Sequence, residues 1–109
     1  MNFKIIPTNF FSRQLKRLAK KYPSLKSDLL TLNRELKENP TTGAPLGKDC
    51  YNIRVAITSK GQGKSGGARV ISFVRVVQNT VFLLSIYDKS EEESISGKEI
   101  GKLLKIIDL

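Results

Sequence analysis

The sequence predicts an α+β fold: an antiparallel sheet with two N-terminal helices packed on one face and a C-terminal helix, in the order β-α-α-β-β-β-α. Two observations carry this. Before residue 40 the apolar residues recur at helical spacing, and after residue 50 their period changes to two. The length of 109 residues suits one domain over 1–109, enough for a single core and too little to divide.

Each element has its own signal. Phe3, Ile5 and Ile6 make a short strand that Pro7 stops, and Thr8 or Asn9 can cap the helix that follows. Phe11, Leu15, Leu18 and Tyr22 then fall on one helical face, with Arg13, Lys16, Arg17, Lys20 and Lys21 on the other. Pro23 breaks this run. Ser24 starts a second helix whose Leu25, Leu29, Leu32 and Leu36 form a stripe, so the pair reads as an αα-hairpin. "ENPTTGAPLGKD", residues 38–49, has two prolines, two glycines and no periodicity, and is expected to be a loop. Three antiparallel strands follow at 51–58, 68–77 and 80–87, the last two joined by a tight turn at Gln78-Asn79, and the first strand can add an edge. Ser96-x-x-Glu99 is a capping-box pattern. Ile100, Leu103, Leu104 and Ile107 give the terminal helix its stripe.

Composition narrows function. The chain has no histidine, which removes the commonest general base and every Ser/His or Cys/His nucleophile arrangement. Cys50 is its only cysteine, so no internal disulfide or thiolate metal cluster can form, and a reducing compartment fits. No 18-residue apolar run and no secretory cleavage pattern is present, so the expectation is a cytoplasmic protein without a membrane span. The formal charge of +9 points to a polyanionic partner, nucleic acid or acidic protein. Residues 1–87 hold 15 Lys/Arg against 4 Asp/Glu, whereas residues 88–109 hold 4 against 6. The basic surface therefore belongs to the helices and the central hairpin, although a basic helical face can also be ordinary solvated surface.

That hairpin, "YNIRVAITSKGQGKSGGARVISFV", concentrates charge. Alternation puts Asn52, Arg54 and Ala56 on the sheet face away from the helices, and Arg69 opens the next strand. Between them a glycine-rich loop carries Lys60 and Lys64, and its backbone can approach a polyanion closely. The loop lacks the GxxxxGK[ST] spacing, and a flexible tip with solubilising lysines explains it equally well.

"YNIR", then "KGQGKSGGARVI", then "FLLSIYDKSEEE" together resemble the RelE/HigB-type toxins of bacterial toxin–antitoxin systems, in the HigB-like branch with its GGxRVI strand and Y-x-K-x-E strand ending. The resemblance covers essentially the whole chain. It implies a ribosome-dependent endoribonuclease that cuts mRNA in the ribosomal A site, inhibits translation and is silenced by a cognate antitoxin. It implies no metal and no cofactor. Such cleavage needs a 2′-hydroxyl activated for in-line attack, charge stabilisation on the phosphorane and a proton for the leaving 5′-oxygen. Arginine and lysine can supply the charge, and a lysine crowded by other cations can exchange protons.

The resemblance places the catalytic basic residues at Arg54, Arg69 and Lys89, and the substrate-contacting loop at Lys60 and Lys64. Two departures stand out: Asn52 occupies a position that is lysine in RelE, and RelE's C-terminal tyrosine, near Ser94 or Ile95 here, has no counterpart. Tyr87 is then the nearest candidate to stack a base or orient the phosphate, or else it is a packing residue at a strand end. Two rival readings share these features: a ParE-like toxin that poisons gyrase without cleaving RNA, and a non-catalytic RNA-binding module. The C-terminal helix either undocks easily, because Ser90 to Gly97 is a polar linker with glutamates at 91 to 93 and Gly97 and Gly101 weaken the helix, or is a permanent core helix held by its four-residue apolar stripe.

Overall fold

In the computed structural model, which describes residues 2–92 and 94–107, a five-stranded sheet carries two helices on one face and a third on the other. Strand β1 (Lys4–Pro7) leads into helices α1 (Asn9–Lys21) and α2 (Leu25–Glu38). Strands β2 (Ala44–Gly47), β3 (Cys50–Val55), β4 (Ala68–Arg75) and β5 (Thr80–Asp88) follow, and then helix α3 (Gly97–Ile106). The sheet order is β1-β5-β4-β3-β2, antiparallel throughout except that β1 joins β5 in parallel. The expected α+β class and element order are present, with one strand more than expected.

Local chemistry explains the helix ends. Thr8 Oγ1 accepts from the Phe11 N–H at 3.2 Å and donates to the Leu83 carbonyl at 3.0 Å, so the cap of α1 also fastens it to β5. Ser96 Oγ accepts from the Glu99 N–H at 3.1 Å, as the capping-box pattern requires. Ser24 precedes α2 without capping it. Its hydroxyl instead accepts from the Ser59 N–H at 2.8 Å, and Asp28 of α2 accepts from the Thr58 N–H at 2.9 Å, which ties α2 to a one-turn 3-10 helix at Thr58–Lys60.

Three boundaries differ from expectation. Residues 44–47 are not loop: they pair antiparallel with β3 across a two-residue turn in which Lys48 (φ 54°) and Asp49 (φ 61°) both adopt left-handed backbone. Such a turn favours asparagine and glycine, which is why Lys-Asp gave no sign of it. The strand expected over 51–58 ends at Val55, where the chain turns toward α2. The strand expected to reach residue 77 stops at Arg75; Val76 and Val77 are 68% and 88% exposed in a 3-10 turn that closes on Asn79 at φ 48°. Apolar character there has no pleat to fill.

The sheet is covered on both sides. On one side Phe11, Leu18, Leu25 and Leu36 of α1 and α2 bury against Ile53, Val70, Val74 and Ile86. On the other, Ile100 and Leu103 of α3 bury against Ile71, Phe73, Leu84 and Tyr87. The second face was expected to be free for polar side chains, and α3 closes part of it. Strand alternation delivers apolar side chains to both sides of β4 and β5, so both sides must be covered. Glu93 of the expected glutamate run lies outside the described residues; Glu91 and Glu92 are exposed.

Candidate functional site

Strand register places Arg54 of β3 directly opposite Arg69 of β4, and Arg69 directly opposite Tyr87 of β5. Directly paired residues share a sheet face, so three expected site residues form one row across three strands, on the side that carries α3. Two like charges in direct register destabilise a sheet. The arrangement makes sense where something anionic is shared between them.

The two arginines differ in state. Arg54 is exposed. Arg69 is 6% exposed, and its guanidinium donates to the carbonyls of Lys64 at 2.9 Å, Ala68 at 3.1 Å and Ser65 at 3.3 Å. Three main-chain oxygens thus occupy donors that could otherwise take phosphate oxygens in a fork. The loop reaches Arg69 because of Gly67, where a Cβ would lie 2.1 Å from the Val55 carbonyl oxygen, so only glycine lets the returning chain run this close to β3. Lys64 is exposed at the loop rim and lines a shallow groove with Arg54 and Glu35 of α2.

Lys60 lies elsewhere. Its ammonium donates to Asp88 Oδ1 at 2.8 Å and to Ser90 Oγ at 3.2 Å, and sits 5.5 Å from the centre of the Tyr22 ring. Asp88 is fully buried and also accepts from the Tyr22 hydroxyl, the Ser90 N–H at 3.0 Å and the Ser90 hydroxyl at 2.8 Å. Burial pushes the Asp88 carboxyl up, but the bonds from Lys60, Tyr22 and Ser90 outweigh it and hold the group well below the usual carboxylate range. The hydrogen bond to Asp88 raises the Lys60 ammonium in turn. The two loop lysines, alike in sequence, therefore separate: Lys64 faces solvent and Lys60 anchors the loop base to the end of β5.

Lys89 follows directly and is half-buried; its N–H donates to the Gly67 carbonyl at 3.0 Å, which brings the end of β5 to the foot of the loop. Tyr87 is 3% exposed, packed with Ile100 and Leu103 of α3, and accepts from Asn52 Nδ2 at 3.5 Å. Burial pushes its phenol up, and Glu92 and Glu99 add to that, while Asn52 and Arg69 pull it down. The Asn52–Tyr87 contact and the Tyr22–Lys60–Asp88 cluster were not foreseen. A lone Asp closing an apolar strand was the available sign of the second. Among the described residues no group of three or more His, Cys, Asp or Glu side chains could hold a metal ion, and no helix is long and apolar enough to cross a membrane.

Among the described residues neither arginine of the row makes a salt bridge, although Glu35 lines the groove beside Arg54. The chain belongs to the RelE toxin family: the model of the RelE toxin of the RelE/RelB toxin–antitoxin system matches residues 8–108. Its fold is similar to that of the E. coli toxin RelE, solved in the free state as a mutant with two arginines changed to alanine. That likeness has a TM-score of 0.62 at 21% identity and covers 98% of this chain and 99% of that one. Membership of the family implies a cognate antitoxin partner.

Proposed function

We propose that this toxin is a metal-independent endoribonuclease that cleaves mRNA in the ribosomal A site, inhibits translation and is silenced by its cognate antitoxin. The observation that carries the reading is the row Arg54–Arg69–Tyr87 in direct register, with Lys64 at its rim and Lys89 at the end of β5. The motif "GGARVI" and the strand ending "YDKSE" support the HigB-like branch of the family.

A backbone phosphate seated on this row meets the reaction's electrostatic needs. The 2′-oxygen attacks phosphorus in line, the bond to the 5′-oxygen breaks, and Arg54 and Arg69 stabilise charge on the non-bridging oxygens of the phosphorane. Arg69 is available once phosphate oxygens replace the carbonyls of Lys64 and Ser65. Lys64 tracks the flanking phosphodiester, and Tyr87 and Lys89 stand beside the leaving 5′-oxygen. Lys60, committed to Asp88, contributes by fixing the loop rather than by touching RNA.

The test is to add purified protein to ribosomes translating a defined mRNA and to map the ends produced. The expected result is cleavage within the A-site codon, leaving a 2′,3′-cyclic phosphate and a 5′-hydroxyl, as 2′-hydroxyl attack requires. Intact mRNA together with inhibition of gyrase supercoiling would replace this reading with the ParE-like one.

A further inference from the structure

Two open grooves, of about 300 and 350 Å³, meet where Glu35 of α2, Arg54 of β3 and Lys64 of the loop line both. They exist because β2 pairs with β3 only as far as Asn52, so the edge of β3 beside Arg54 carries no further strand. Gly43 lets the chain pass close there: a Cβ on it would lie 2.6 Å from the Asn52 carbonyl oxygen. Glu35 is the odd member of this basic surface. It is exposed in the last turn of α2, where the helix dipole disfavours a negative charge, and the residues three and four away are Thr31, Leu32, Glu38 and Asn39, none of them a cation. Among the described residues its carboxylate makes no ion pair, although two cations line the same groove. Helix stability therefore does not account for Glu35, and a groove meant for phosphate alone would be weakened by it.

We propose that this groove seats the base of the nucleotide that carries the attacking 2′-hydroxyl, and that Glu35 reads it as guanine. The inference rests on the endoribonuclease reading above and names its sequence preference. In-line attack sets the 2′-oxygen and the leaving 5′-oxygen on opposite sides of phosphorus. With Tyr87 and Lys89 at the leaving end of the row, the attacking nucleotide lies at the Arg54 end, beside the groove. Its base turns over the open edge of β3 while Arg54 holds the scissile phosphate and Lys64 the flanking one. A carboxylate accepts hydrogen bonds and donates none. Guanine alone offers it two adjacent donors, N1–H and the N2 amino group, whereas adenine and cytosine present one amino group and uracil one N–H, each beside an acceptor that a carboxylate repels.

The test is single-turnover cleavage on ribosomes programmed with messages that differ only in the A-site codon, with every codon sampled and the cut ends mapped. The unsubstituted protein is expected to cut about 10-fold faster or more when guanine is the nucleotide left with the cyclic phosphate, the scale of one bidentate base contact. Glu35→Gln, which offers one acceptor and turns a donor toward guanine, should abolish that preference, and Glu35→Ala should do the same. The ratio between codons is the informative quantity. Loss of a negative charge near RNA changes binding at every codon alike, whereas loss of a base contact adds a fall confined to guanine. A guanine preference that survives in both variants, or an unsubstituted protein indifferent to that base, overturns the inference and leaves the endoribonuclease reading intact. No cleavage at any codon overturns both.

Discussion

The two ends of the glycine-rich loop carry the same kind of charge and treat it in opposite ways. At its start Lys60 is folded toward the α1 and α2 side, 12% exposed, against an Asp88 side chain that is 0% exposed. At its end Arg69 lies on the α3 side in register with a second arginine, and among the described residues its guanidinium donates to main-chain carbonyls. The lesson is that a count of basic residues does not locate a site. A cation with a buried carboxylate is part of the scaffold, and a cation facing neutral oxygens can exchange them for an anion.

The sharpest way to break this comparison is to remove the scaffold cation. Lys60→Ala leaves Asp88 buried without its counter-ion and should lower unfolding free energy by about 3 kcal/mol, read from urea denaturation, whereas Lys64→Ala should stay within about 0.5 kcal/mol. Equal effects would mean that the two lysines are interchangeable after all. The pH dependence carries a sign. Asp88, held low, contributes stability above its unfolded pKa of about 3.9 and loses it as pH falls through the folded value. Lys60, held high, contributes fully below its unfolded pKa of about 10.4 and loses that as pH rises through the folded value. The gap between the unsubstituted protein and Lys60→Ala should therefore be flat across neutral pH and close in acid.

Binding sharpens the same contrast with a smaller effect. Lys64→Ala should weaken RNA or ribosome binding and reduce the slope of log affinity against log salt by about 0.7, one released counterion on a single strand. Lys60→Ala, assayed where it is folded, should leave that slope alone, and a matching reduction would return Lys60 to the RNA surface. Smallest is the helix that covers Tyr87. Gly101 has open space where a Cβ would sit, so Gly101→Ala should stabilise α3 by roughly 0.5–1 kcal/mol. In hydrogen exchange, residues 97–106 should open faster than β4, and Gly101→Ala should slow them without altering β4.

How much of this was legible in the sequence follows from the range of each signal. The stripes of α1, α2 and α3 and the alternation of β3 are local, so the class and order of elements could be read directly. The Lys48-Asp49 hairpin could not, because two left-handed residues without glycine or asparagine carry no local mark and are held by the pairing of β2 with β3. Arg54 was read as exposed from alternation alone, and it is. The burial of Arg69 depends on where the loop folds back, a matter of Gly67 against Val55 that no spacing reveals. The role of Lys60 was least visible, since its partner Asp88 is 28 residues away and Tyr22 is further still.

The central claim is that the paired arginines hold the reacting phosphate. The cleavage rate of Arg69→Ala on mRNA-programmed ribosomes tests it most directly, with thermal melting as the check that the fold survives. Loss of one charge-stabilising donor in a transition state costs on the order of 100-fold or more, and that is the expected fall in rate. A folded Arg69→Ala protein that cleaves at the unsubstituted rate would contradict the account.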